Sequence, residues 1–368
     1  MSIRGAQTPD DPLFDDVGRT YDALLVLSFG GPEAPDEVMP FLENVASGRD
    51  IPRARLEEVA EHYLHFGGVS PINAQNRALI AALEPELAAH GLALPIYFGN
   101  RNWHPFLEDT IRRMADDGIR RALVFVTSGF SCWSGCRQYR DDVTRAMDRL
   151  GLTDDDIAFD KIRVLGNHPG FVGAMADRVA AALDAFAPED RAAVEVVFTA
   201  HSIPRSMADA SDYEAQLRDA CALVAAAVGI DRHRLAYQSR SGPPQVPWLE
   251  PDILDVLDDV AASGRRNVVV APIGFVSDHL EVLFDLDEEA TEHAAARGLR
   301  MVRAGTVGTH PDFVTMVRQL VEERTTPNPV RLALGDRGPS HDICPLDCCR
   351  LGSGRPARTA DGLAEVAG

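Results

Sequence analysis

The chain has 368 residues, 45% hydrophobic and 25% charged, with a formal net charge of −20, the profile of a soluble globular protein with room for two domains of ordinary size. That acidity excludes a general nucleic-acid partner, because nothing would neutralise phosphates, although a local group of arginines could still hold an anionic substrate. No apolar run approaches the roughly 20 residues of a membrane span. The polar start (MSIRGAQTPDDPLFDD) lacks the apolar core of a signal peptide, so a cytoplasmic protein with no transmembrane segment is expected.

Residues 1–20 read as a mobile leader, with Pro9 and Pro12 set among aspartates. A first strand at 23–29 stops at Gly30-Gly31-Pro32, where glycines let backbone approach a ligand closely. Neither a GxGxxG nor a P-loop pattern follows. A helix near 35–45 leads to a basic loop with Arg49, Arg53 and Arg55, which are either solvated or hold substrate carboxylates. HYLHFGGVSPIN (62–73) forms a turn ahead of a helix at 74–90, and position alone makes Ser70 its N-cap. Strands at 95–99 and 122–127 follow, with a helix opening at 102–105 between them. Apolar strands alternating with amphipathic helices predict an α/β protein with mainly parallel sheets.

The second half repeats the first. GIRRALVFVTSGFSC (118–132) is echoed by GRRNVVVAPIGFVSD (264–278), and LLVLSFGGP (24–32) more weakly by VVFTAHSIP (196–204). His-Pro-x-Phe occurs at 104, 168 and 310. Two related lobes are therefore expected, 21–165 and 166–325, with the ligand in the cleft between them at the carboxyl ends of the strands. Strand-end residues of both lobes should converge there: residues 29–32 and 130–139 from the first, and His201, Ser202 and QSRSGPP (238–244) from the second.

The richest stretch is GFVSDHLEVLFDLDEE (274–289), which follows the buried apolar run at 268–273. Glu281, Asp285 and Glu289 are four residues apart, an acidic stripe that drifts about 40° per step on an ideal α-helix. A π-bulge would bring the carboxylates into line. Asp278 and His279 stand at its mouth. Such a stripe suits a divalent cation, with histidine adding affinity for iron or zinc; the plain alternative is a solvated helix face. By the repeat, the strand ending at His201 neighbours the one that feeds Glu281. A neutral imidazole opposite carboxylates would both receive a metal and accept protons. Ser202 beside it does not make a hydrolase, since the GxSxG elbow is missing.

SFGGP, HFGGVSPIN, GNRNWHP, TAHSIP, YQSRSGPPQVPWLEP and GFVSDHLEVLFDLD, in this order over nearly the whole chain, resemble the ferrochelatase family, which inserts ferrous iron into a porphyrin. The likeness is greatest to the actinobacterial branch, which implies coproporphyrin III as substrate. The resemblance implies a chelatase-like fold of two Rossmann-like lobes with no nucleotide. It implies that His201 and Glu281 bind the incoming iron and carry catalysis, with His279, Asp285 and Glu289 relaying iron or protons. Ser70, Tyr139 and Phe29 match porphyrin-contacting positions. Several related enzymes carry at Phe29 a tyrosine that ligates product iron, which phenylalanine cannot do. Protoporphyrin IX, a cobalt or nickel tetrapyrrole chelatase, and a non-catalytic haem or iron binder stand as alternatives. A monomer with transient contacts to neighbouring haem-pathway enzymes is expected.

Six cysteines in a cytoplasmic chain read as thiols or metal ligands. Cys344, Cys348 and Cys349 lie in CPLDCC, with Cys132 and Cys136 far upstream. Three close thiols and one distant one suit a 2Fe-2S cluster or a structural zinc. The resemblance favours the cluster with Cys136 as the distant ligand, Cys132 being the competitor. Adjacent cysteines on one cluster demand a tight turn. The segment 326–350 is expected to pack back on the first lobe, and 351–368 to be a mobile tail. Cys221, in an alanine-rich helix, reads as a buried apolar residue.

Overall fold

The computed structural model describes residues 3–4, 13–48, 51–345 and 347–351. Most of the expected leader, Arg49 and the tail beyond 351 lie outside them. Strands are numbered along the chain. β1 (Ile3–Arg4) pairs antiparallel with β10 (Ala333–Leu334), close to the chain ends. Between them, β2 (Ala23–Ser28), β3 (Ile96–Asn100), β4 (Arg121–Val126) and β5 (Ala158–Lys161) form one parallel sheet in the order β3-β2-β4-β5. β6 (Glu195–His201), β7 (His233–Gln238), β8 (Asn267–Ala271) and β9 (Arg300–Arg303) form a second in the order β7-β6-β8-β9.

The two orders are the same arrangement, and the echoed segments occupy equivalent places. β2 and β6 are central, and β4 and β8 are their neighbours toward the later strands. β2 is buried along its whole length, as a parallel strand covered by helices on both faces must be. One continuous apolar core runs from Leu24 and Phe125 of the first sheet, through Phe171 and Met175, to Phe198 and Val269 of the second. The helix Pro311–Thr325 packs on Ile72–Ala89 of the first lobe as well as on Pro169–Leu183. Arg318 Nε lies 2.9 Å from Glu86 Oε1 across that contact. The fully buried Arg163 clasps Glu323 of the same helix through two bonds of 2.7 and 2.8 Å.

Two of the His-Pro-x-Phe copies are helix caps. His168 and His310 each sit at an N-cap, where Nδ1 accepts the N–H of Gly170 at 3.1 Å and of Asp312 at 3.3 Å. Burial, with Arg163 adding, pushes the His168 pKa down to about 3, so it stays neutral and able to accept. The His104 carbonyl instead receives Asn73 and Asn100 side-chain amides at 3.2 and 2.8 Å.

Residues 13–20, read from sequence as part of a mobile leader, are anchored. Arg331, fully buried, reaches Asp16 and Asp342 at 2.6 Å each, and Leu13 O accepts from the Asp342 and Ile343 amides at 3.0 Å. The same network binds residues 13–16 to the segment 331–343.

Candidate active site

β6 ends at His201, and the register sets it beside Gln238, the last residue of β7. After β8 the chain crosses this edge: Gly274 N–H donates to Thr199 O at 3.0 Å. A Cβ on Gly274 would lie 2.6 Å from that of Ala200, so the crossing requires glycine. It delivers His279 and Glu281 to His201. In the neutral His201 ring, Nδ1–H donates to Ser202 O at 2.5 Å, which leaves Nε2 as the lone-pair nitrogen. That nitrogen lies 3.7 Å from Glu281 Oε2, too far for a hydrogen bond. With metal–ligand bonds of about 2.1 Å, the two atoms close on one divalent ion at an angle of roughly 120°. Both side chains face open space, 35% and 47% exposed. His279 stacks edge-on against Phe275 at 5.1 Å. Burial pushes its pKa down, Glu281 opposes, and His201 adds to the shift.

The stripe of carboxylates has the winding its spacing predicts. Leu280–Val282 make one α-turn and Leu283–Ala290 a π-helix; wider i→i+5 winding offsets the drift of four-residue steps. Asp285 accepts a short hydrogen bond from Ser239 Oγ and another from Gln238 Nε2 at 3.3 Å. Burial lifts the Asp285 pKa to about 7; the Ser239 and Gln238 bonds oppose this, while Glu281 and Glu289 add to it. Asp285 is thus poised to hold or release a proton near neutrality. Glu289 is exposed at the outer end. Asp278 plays a different part: Arg303 reaches it at 3.0 Å and Gln75 Oε1 accepts its backbone N–H at 2.8 Å, tying the stretch to the first lobe.

That lobe supplies the opposite wall. Leu280 packs with Phe41, Tyr63 and Trp103, and Phe29, 37% exposed, meets Phe41 edge-on at 6.3 Å. Burial raises the Tyr63 pKa, and the charge of Glu281 adds to it. His62 stacks on Phe284 at 3.9 Å, and His65 Nε2 lies 2.9 Å from Glu288. The helix Arg53–His65 thus roofs the acidic helix. Arg53 is paired with Glu43 and Glu57, and Arg55 with Glu58, at 2.7 to 3.0 Å, so glutamates of the chain already occupy both. Ser70 is buried but is not the helix N-cap; Pro71 takes that position without a side-chain bond. The Ser70 N–H donates to Pro32 O at 2.8 Å. Tyr139 is 5% exposed, with the Arg101 guanidinium 4.6 Å over its ring.

The family profile described as Ferrochelatase matches residues 21–325. This chain belongs to the ferrochelatase family. It is 55% identical to a ferrochelatase of Rhodopirellula baltica, over 91% of this chain and 95% of that one. It is 52% identical to the coproporphyrin III ferrochelatase of Streptomyces griseus, over 92% and 95% of the two chains. With that of Mycolicibacterium smegmatis it shares 54% over 83% and 90%. Among solved structures, SirB from Bacillus subtilis with Fe3+ superposes with a TM-score of 0.50 at 13% identity, covering 83% of this chain and 96% of that one. That likeness is one of fold.

A second constellation of this ferrochelatase-family chain joins a first-lobe cysteine to those of the C-terminal segment. Cys136 sits in a short π-turn, Trp133–Arg137, against Cys344 and Cys349. The Cys348 and Cys349 sulfurs are 3.7 Å apart. Cys349 has φ 54°, a left-handed conformation uncommon outside glycine, which makes a tight turn at the adjacent cysteines. Hydrogen bonds from Cys136 and Cys348 hold the Cys344 thiol well below its ordinary pKa. Donating to it pushes Cys136 up to about 11 and Cys348 up to about 12. Cys136 and Cys348 thus each meet both Cys344 and Cys349, and four thiols so gathered fit a four-cysteine cluster. Cys132 is not among them: its sulfur accepts the Gly135 N–H at 3.1 Å and caps the π-turn.

Proposed function

We propose that this chain inserts ferrous iron into coproporphyrin III, in haem synthesis, and releases the two pyrrole protons. The observation that carries the reading is the His201–Glu281 pair, a lone-pair nitrogen and a carboxylate spaced for one cation. Iron held between them sheds water as these ligands replace it. His201 Nε2 and Glu281 stand ready as the first proton acceptors, and Asp285, with its pKa near 7, passes protons along the acidic helix toward Glu289. His279, kept neutral, serves the same relay. The macrocycle is placed against Phe29 and near Ser70, with Tyr139 acting through Arg101. Coproporphyrin is preferred to protoporphyrin IX because the Streptomyces and Mycolicibacterium relatives are named for it.

We assign a 2Fe-2S cluster to Cys136, Cys344, Cys348 and Cys349, where iron held by thiolates would cross-link the tail to the first lobe. No helix among the described residues is long and apolar enough to cross a membrane. A cytoplasmic setting agrees with six cysteines free of disulfides. The working form is read as a monomer, since one chain supplies every residue of both sites, meeting neighbouring pathway enzymes transiently.

The test is anaerobic turnover with ferrous iron and either coproporphyrin III or protoporphyrin IX, followed by the Soret and visible bands. Repeated turnover with coproporphyrin, lost in His201→Ala and Glu281→Ala, is expected. Faster turnover with protoporphyrin would overturn the substrate assignment, and tight binding without turnover would leave a haem carrier.

A further inference from the structure

The C-terminal segment carries one more group aimed at the thiols. His341 Nε2 lies 3.7 Å from Cys348 Sγ. A ring nitrogen of His341 and the sulfurs of Cys344 and Cys348 all fall within 4.8 Å of one another. His341 also lines a cavity of about 240 Å³ shared with Leu13, Asp212, Gln216, Asp219 and Arg337. At about 30 Å³ per molecule of liquid water, that space takes several waters. His341 thus borders both the cavity and the sulfurs.

We propose that His341 donates a hydrogen bond to the cluster-ligating sulfurs of Cys344 and Cys348 and thereby sets the cluster's reduction potential. This rests on the four-cysteine assignment above. Four sulfurs already complete the ligand set, so the imidazole is not needed on iron. An N–H aimed at a thiolate withdraws electron density from it and favours the reduced, more negative cluster.

The experiment compares the purified full-length protein with H341F, which keeps a flat ring but has no donor, and H341Q, which restores an amide N–H. Iron, acid-labile sulfide and the visible spectrum of the wild type come first. Their absence defeats the cluster assignment itself, whatever His341 does. With the cluster present, H341F is expected to keep its iron and sulfide while its midpoint potential falls below the wild type's, and H341Q to recover part of the shift. An unchanged midpoint in H341F overturns the proposal. If H341F assembles no cluster, the reduced wild type and H341Q decide. Strong histidine-nitrogen coupling in the wild-type EPR spectrum would make His341 a ligand and overturn the proposal. Its absence, with an H341Q midpoint lowered below the wild type's, supports the donor, and an H341Q midpoint equal to the wild type's overturns it.

Discussion

Asp285→Asn separates what the acidic helix does for chemistry from what it costs the fold. The carboxyl's pKa rises from its ordinary 3.8 to about 7, so the native state holds the proton more tightly than the unfolded chain. Raised in this direction, the group destabilises: the penalty is absent below about pH 4, grows through the window from pH 4 to 7, and is constant above it. Three units at 1.36 kcal/mol each set a ceiling of about 4 kcal/mol. The cleft is open to solvent and the Ser239 and Gln238 bonds persist, which reduces the expected effect to about 1–2 kcal/mol. Asparagine keeps an oxygen for both bonds and cannot ionise. Urea unfolding should therefore find Asp285→Asn more stable than wild type at pH 8, by a margin that shrinks toward pH 4. Iron insertion should fall, and the limb of the pH–rate profile near 7 should disappear. Equal or lower stability of the variant at pH 8, or a gain that grows on acidification, would refute the reasoning.

Gly274→Ala should force β6 and the crossing segment apart, costing about 1–3 kcal/mol by overpacking and displacing Glu281 from His201; thermal melts and turnover read both. His201→Ala should slow insertion by about 10²–10⁴ if the ring acts as base, with little change in porphyrin affinity by fluorescence quenching. Phe29→Tyr places a phenol at an exposed strand end facing the cleft, and titration with the ferric product should show a new phenolate-to-iron band absent in the wild type. Glu323→Gln leaves the buried Arg163 without its carboxylate and should cost about 3–5 kcal/mol in denaturant unfolding.

Where a feature depended on periodicity or repetition, it could be read before the structure. The echoed strands became equivalent sheet positions, and the four-residue carboxylate spacing became a π-helix. His201 could be placed near Glu281 because β6 and β8 are neighbours in a repeated sheet. What depended on tertiary contact was hidden. Cys132 and Cys136 are separated only by which thiol the tail reaches. Tyr63 and His62 lie in an ordinary amphipathic helix, and nothing local says that it roofs the acidic stretch. Ser239 left one faint signal, a serine just past the strand in QSRSGPP; it takes φ 61° and its hydroxyl donates to Asp285. Ser70 misled because Ser-Pro before a helix resembles a cap, whereas its side chain fills the space facing Gly31.

The continuous core has a bearing on how a flat ligand gets in and out. Two-lobed receptors that shut like jaws need a thin joint, and the described residues form a thick one. Phe171, Phe198 and Phe313 belong to one packed interior, and helix Pro311–Thr325 is riveted to the first lobe through Glu86. Swinging the lobes apart would tear that interior open. The lip helices, Val38–Val45 and Arg53–His65, lie outside that interior; Phe41 and Tyr63 pack with Leu280, and the second helix adds a stacked ring and a histidine–glutamate contact to the acidic helix. A flat ligand should therefore pass by lifting an eave rather than by opening a hinge.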